Sequence, residues 1–292
     1  GTMGIRFTTG GWIVLHILTL HLSDKWVDIQ KRELARFISE PYKVYARLGE
    51  EPFKFKVNKK GERVKYSDTT ISYDKHKHKF DGAISGAQHW TYSMGKLIDY
   101  VLNNFKIMTD DTILLLDSDA FPIAPMGDFL EEKLKEYPFV SAQEPMHEWD
   151  RNPLYLIPHP MFMAFKAKHI IEDNLTDYLR NIIKDKNDNW WGGTINWLKE
   201  RGYDYYPLVR SNKTNLHPLY YGIYDDLIYH HWAGSRNMIT RPDRIRAQET
   251  GENVDDIAKE NHEMSSQVFE RVASENDIDN MMQYLKGEYE ES

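Results

Sequence analysis

The chain has 292 residues, 41% hydrophobic and 28% charged, which is ordinary for a soluble globular protein able to bury a sizeable core. A net charge of −8 disfavours nonspecific binding to nucleic acid or anionic membrane. The absence of cysteine removes disulfides, thiolate metal sites and cysteine nucleophiles together, and it fits a reducing, cytoplasmic setting. With cytoplasmic residence, the glycosylation sequons at Asn174 and Asn212 read as accidental.

The first apolar run, WIVLHILTLHL from Trp12 to Leu22, is too short to span a bilayer and reads as a buried strand over Trp12 to Leu20. It lacks the basic flank and the small-residue cleavage site of a signal peptide. DKWVDIQKRELARFI, Asp24 to Ile38, places Trp26, Ile29, Leu34, Phe37 and Ile38 at helical spacing, with Ser23 as an N-cap. YKVYARL, Tyr42 to Leu48, is a second strand, followed by a polar loop to Phe80. The basic, histidine-bearing DKHKHKF within that loop reads as a solvated flap. His89 to Phe105 is a helix with Met94, Leu97, Ile98, Val101 and Leu102 on one side.

ILLLDSDAF, Ile113 to Phe121, then runs four apolar residues directly into two carboxylates. Charges that close repel, and each resists leaving water unless a cation pairs with it. A solvated turn or a helix cap accounts for one Asp; a divalent metal accounts for both, because Mg²⁺ and Mn²⁺ prefer hard oxygen ligands. Strands alternating with helices predict an α/β fold with a mostly parallel sheet covered on both faces, and ligands gather at the carboxyl edge of such sheets.

Further on, strands are expected at Phe139 to Glu144 and Met161 to Ala167, separated by a Pro-rich loop. One helix is expected over KHIIEDNLTDYLRNIIK and another after the turn in NDNWWGGTINWLKERG. A short strand, DLIYHHWAGSR from Asp226 to Arg236, ends in histidines. The tail from Arg241 is charged and helical in pattern.

The strand that ends in Asp117-Ser118-Asp119, with His230-His231-Trp232-Ala233-Gly234 far downstream, resembles the nucleotide-sugar-dependent glycosyltransferases of the Rossmann-like GT-A fold. The likeness spans residues 10 to 240 and implies a catalytic domain over 4–240 with an extension at 241–292. It implies a Mn²⁺ or Mg²⁺ ion on Asp117 and Asp119, carrying a nucleotide-diphosphate sugar whose leaving diphosphate the ion neutralises. A downstream histidine often completes the metal site in this family. The His-x-x-Gly spacing favours His231, with His230 packed away on the opposite face of the strand; strand-end register leaves His230 open.

By the same resemblance, Ser118 and Arg236 lie near the donor diphosphate; for Arg236 a surface arginine is the plain alternative. Thr19, His21, Arg47 and Lys96 lie near the nucleoside. Asp188, beside Trp190 and Trp191, is the candidate general base toward the acceptor hydroxyl, or else a helix cap. Glu144, His147, Glu148 and Asp150 are alternatives for the base. The two Trp form a sugar-stacking wall or simply pack in the core. The partners implied are a sugar donor and a carbohydrate or other hydroxyl acceptor in glycan synthesis. The competing readings are a nucleotidyltransferase, which would carry a Gly-rich basic loop that HLSDKWVDIQ lacks, and a non-catalytic glycan-binding module.

Overall fold

The computed structural model describes residues 13–21, 24–48, 55–57, 63–65, 80–85, 90–144, 157–181, 192–231 and 239–288. The first half alternates strands and helices, except that the stretch read as a polar loop up to Phe80 contains a short hairpin. β1 (Leu15–His21) leads through a 3-10 turn (Asp24–Trp26) into α1 (Val27–Phe37), then β2 (Tyr42–Leu48). A small hairpin of β3 (Phe55–Val57) and β4 (Arg63–Lys65) precedes β5 (Gly82–Ser85), α2 (Trp90–Asn104) and β6 (Thr112–Asp117). β1 is buried at all seven positions, as a strand covered by helices on both faces must be.

The second half is more broken. It comprises β7 (Ala120–Pro122), α3 (Gly127–Glu136), β8 (Phe139–Glu144), β9 (Ile157–Lys166), α4 (Lys168–Ile171), α5 (Leu175–Asn181) and α6 (Gly192–Arg201). Then come β10 (Tyr206–Leu208), β11 (Gly222–Tyr224), β12 (Ile228–His230), α7 (Arg241–Thr250), α8 (Val254–Ala273) and α9 (Ile278–Lys286). The single helix expected after Lys168 is split: Asn174, at φ 56°, turns the chain between α4 and α5. Ser23 lies outside the described residues, and the N-cap of α1 is Trp26, which makes no side-chain capping bond.

The main sheet has seven strands among the described residues, in the order β10-β8-β9-β6-β1-β2-β5. β1 pairs in parallel with both β2 and β6, β2 with β5, and β8 with β10; β9 runs antiparallel between β6 and β8. The fold is therefore α/β with a mostly parallel central sheet. Strand order reverses beside β1, with β2 on one side and β6 on the other. The crevice outside the carboxyl ends at such a reversal is where open α/β sheets bind ligands.

β6 shows why the sheet is sandwiched. Its Leu114 and Leu116 join α1 and α3 in one cluster, through Leu34, Ile38, Leu130 and Leu134. Its Ile113 and Leu115 join α2, α5 and α6 in the other, through Leu97, Ile98, Leu175 and Trp197. Each such fully buried aliphatic side chain contributes about 1.5–3 kcal/mol relative to exposure.

A third cluster ties the C-terminal helices to this body. Val268 and Val272 of α8 and Met281 and Leu285 of α9 pack with Trp26 and Ile29, Phe121 of β7, and Tyr229 of β12. Polar contacts reinforce it. Arg32 donates to the carbonyls of Val272 and Ala273 at 3.0 and 2.9 Å, meeting the orphan acceptors at the end of α8. Arg36 makes a two-pronged pair with Asp279, both contacts 2.7 Å. No helix among the described residues is long and apolar enough to cross a membrane.

Candidate metal centre

Three local features bring the site together. β6 stops at Asp117, the chain turns, and β7 begins at Ala120. β7 then pairs antiparallel with β12, setting Ala120 opposite His230 and Phe121 opposite Tyr229. β12 is placed in turn by its hairpin with β11. The hairpin turn has Asp225 and Asp226 at φ 48° and 54°, and Leu227 N–H donates to the Tyr224 carbonyl at 2.9 Å. Positive φ at both central residues is what a type I′ hairpin turn demands, and Asp tolerates it better than most residues. Val209 N–H donates to the Asp225 carboxylate at 3.0 Å, and the Ser211 hydroxyl to Asp226 at 2.7 Å, which holds both in place.

This register puts His230 Nε2 3.2 Å from Asp119 Oδ1 and 3.6 Å from Asp117 Oδ2. Ligand atoms of Asp117, Asp119 and His230 all lie within 4.8 Å of one another. The imidazole is buried, whereas the two carboxylates retain 22% and 16% of their side-chain exposure, so an ion can reach them from the crevice. Two carboxylates and one imidazole suit a small divalent cation that keeps waters of its own. Imidazole is accepted more readily by Mn²⁺ than by Mg²⁺. A cation also relieves the repulsion between the carboxylates.

The turn has a support that sequence reasoning missed. The Gln30 side-chain amide, 1% exposed, donates to the carbonyls of Asp117 at 2.8 Å and Ala120 at 2.9 Å, with Ser118 O at 3.4 Å. Gln30 therefore clamps the backbone from which both carboxylates project. The signal was present: Gln30 lies four residues from both Trp26 and Leu34, on the apolar face of α1.

The expectation that favoured His231 is corrected. Alternation places Tyr229 and His231 on one face and His230 on the other, as read, but the Asp117–Asp119 turn lies on the His230 face. His231 is wholly buried on the far side, its Nδ1 2.9 Å from Tyr229 OH and its Nε2 3.1 Å from Ser265 Oγ of α8. Its ring packs 4.7 Å from Trp26 and 5.0 Å from Tyr221. Burial pushes its pKa down to about 3, against the pull of Asp119, so it stays neutral and structural.

Other described residues singled out in the sequence lie at the carboxyl ends of β1, β2 and β8, on α2 and in the turn itself. Thr19 lies between Ala46 and Leu116 with no exposed surface. His21 ends β1 and is likewise buried, its ring 5.9 Å from Phe80. Arg47, also buried, sits beside Leu20 and Ile84. Lys96 is exposed on α2, and Ser118 is half-buried in the turn. Glu144 is the last residue of β8, opposite Ile157. Asp188, Trp190, Trp191, Arg236, His147, Glu148 and Asp150 lie outside the described residues.

No protein-family model matches the sequence, and none of the curated proteins matches it. Among solved structures the chain is similar to the glycosyltransferase GlyE of Streptococcus pneumoniae TIGR4, at 14% identity and TM-score 0.42, with 84% of this chain covered. It spans 62% of that structure and 45% of the apo form, for which identity is 15% and TM-score 0.38. It is also similar to a glycosyltransferase involved in glycosylation of the major capsid of PBCV-1, at 13% identity and TM-score 0.36, covering 67% of this chain and 81% of that one. A third similarity is to the 4-diphosphocytidyl-2C-methyl-D-erythritolsynthase of Anaerococcus prevotii DSM 20548, at 11% identity and TM-score 0.40, covering 68% of this chain and 90% of that one.

Proposed function

We propose that the protein is a GT-A-type, metal-dependent glycosyltransferase that moves a sugar from a nucleotide-diphosphate donor to an acceptor hydroxyl in cytoplasmic glycan synthesis. The observation that carries this reading is the convergence of Asp117, Asp119 and His230 at the strand-order reversal of a mostly parallel sheet. A cation bound there would supply electrostatic stabilisation for a departing diphosphate. Asp117, Asp119 and His230 would hold it, and Gln30 keeps the backbone of the Asp117–Ala120 turn from drifting. Preset geometry matters because a small misplacement of reacting groups costs large factors in rate.

The remaining assignments extend the same reading. Ser118 and Arg236 serve the diphosphate, Arg47 and Lys96 the nucleoside side, and 4–240 forms the catalytic unit with 241–292 as its extension. Asp188 takes the proton from the acceptor hydroxyl, with Glu144 as the alternative base. The test is a panel of nucleotide sugars incubated with Mn²⁺, following release of nucleoside diphosphate and the melting temperature. At least one donor should be turned over, and Asp119→Asn should abolish turnover in a folded protein. Release of pyrophosphate instead would mark a nucleotidyltransferase, and stabilisation by glycan alone a binding module. Asp188→Asn should slow transfer by about 10²- to 10⁴-fold, the usual loss for a general base. If only Glu144→Gln does so, the base is Glu144.

A further inference from the structure

Lys25 has no part in the assignments above. It occupies the 3-10 turn directly after β1, at the edge where strand order reverses. Its side chain is exposed, yet it is not loose: the ammonium lies 3.9 Å from the centre of the Phe269 ring and 5.9 Å from that of Trp26. Phe269 belongs to α8, so a tertiary contact from far along the chain holds this cation in the turn after β1, the strand whose Leu20 pairs with Asp117. A cation over an aromatic face is attracted by the ring quadrupole. Desolvation of the ammonium lowers the Lys25 pKa, and the negative charge of Asp119 opposes that shift.

Charge balance indicates what such a lysine meets. Two carboxylates are balanced by one divalent cation. A diphosphate ester then brings further negative charge for which that set has no counterpart. Lysine is a compact point charge, apt for phosphate oxygens. We infer that Lys25 contacts the anionic diphosphate of the donor from the turn after β1, whose Leu20 pairs with Asp117, with Phe269 and Trp26 holding its ammonium. The inference rests on the donor reading proposed above.

The competing role is local neutralisation of Asp119, and the two roles predict different signs. Inorganic pyrophosphate with Mn²⁺ serves as the anionic probe, measured by calorimetry, and Mn²⁺ alone as the cation probe, measured by electron paramagnetic resonance. In Lys25→Met, pyrophosphate binding should weaken about ten- to a hundredfold, the worth of a hydrogen bond to a charged group. Bare Mn²⁺ should bind as tightly or more tightly, because a repelling charge has gone. Phe269→Leu keeps the charge and frees the lysine, so pyrophosphate should weaken by a smaller factor, with a melting curve to verify folding. Equal pyrophosphate affinity in wild type and Lys25→Met overturns the inference and leaves the donor reading standing. If wild type with Mn²⁺ binds no pyrophosphate, the donor reading falls and the inference with it.

Discussion

Replacing each of the adjacent histidines by alanine should produce two different failures. His231 is fully buried and faces two hydroxyls, Tyr229 at 2.9 Å and Ser265 at 3.1 Å. His231→Ala orphans both, at about 1–3 kcal/mol each. It also opens a cavity against Trp26 and Tyr221, worth about 2–4 kcal/mol by analogy with other large-to-small core changes. With partial collapse of the site the total is roughly 4–6 kcal/mol, a large share of a typical stability of about 5–15 kcal/mol. The melting temperature should fall by about 10–20 °C, at roughly 2–4 °C per kcal/mol for a chain of this order of size. His230→Ala should cost only about 1–2 kcal/mol of stability, the common range for point changes. Its Mn²⁺ affinity should drop by more than the roughly 10- to 100-fold typical when a residue behind a metal ligand is lost. Calorimetric melting with and without Mn²⁺ reads both effects, since a ligand of the folded state raises the melting temperature. Loss of the Mn²⁺ response in His231→Ala with an unchanged melting temperature, beside a normal response in His230→Ala, would refute the assignment.

Gln30→Leu keeps bulk but strips the donors from the Asp117 and Ala120 carbonyls, so Mn²⁺ affinity should fall about 10- to 100-fold with the chain still folded. Resonance titration of free Mn²⁺ checks this; unaltered affinity would make Gln30 a packing residue only. The pH dependence follows from His231, whose pKa is about 3 in the fold against 6.5 unperturbed. The unfolded chain binds a proton in that window and the folded chain does not, so stability is complete above pH 6.5 and lost on acidification. The loss is about 1.4 kcal/mol per pH unit down to about pH 3. His16, His169 and His217, lowered by burial, act in the same direction, and urea unfolding between pH 7.5 and 4.5 should show the decline. Met281→Ala should cost about 2–5 kcal/mol by emptying the cluster shared with Phe121 and Tyr229. A chemical-denaturation midpoint that does not move would show that α9 is not coupled to β7 and β12.

The sequence by itself determined the elements whose signal is local. β2 and β8 lie where YKVYARL and FVSAQE placed them, because a strand read from side-chain chemistry needs only its own residues. The carboxylate pair at the end of β6 was legible for the same reason, since two carboxylates directly after an apolar run are a feature of the local chain. β7, β10 and β11, each three residues long, are too short to show any period, and the antiparallel course of β9 leaves no mark on its composition. Strand alternation correctly separated His230 from His231 but carried no information about which face meets the Asp117–Asp119 turn. That was decided by the pairing of β12 with β7 and by α8 closing over His231. Gln30 and Lys25 belong to the same class: the partners that give them a role, the turn carbonyls for one and the Phe269 ring for the other, are brought to them only by the fold. A side chain's type and period are properties of the local chain. Its partners are chosen by packing between segments far apart in sequence, so only the tertiary structure could name them.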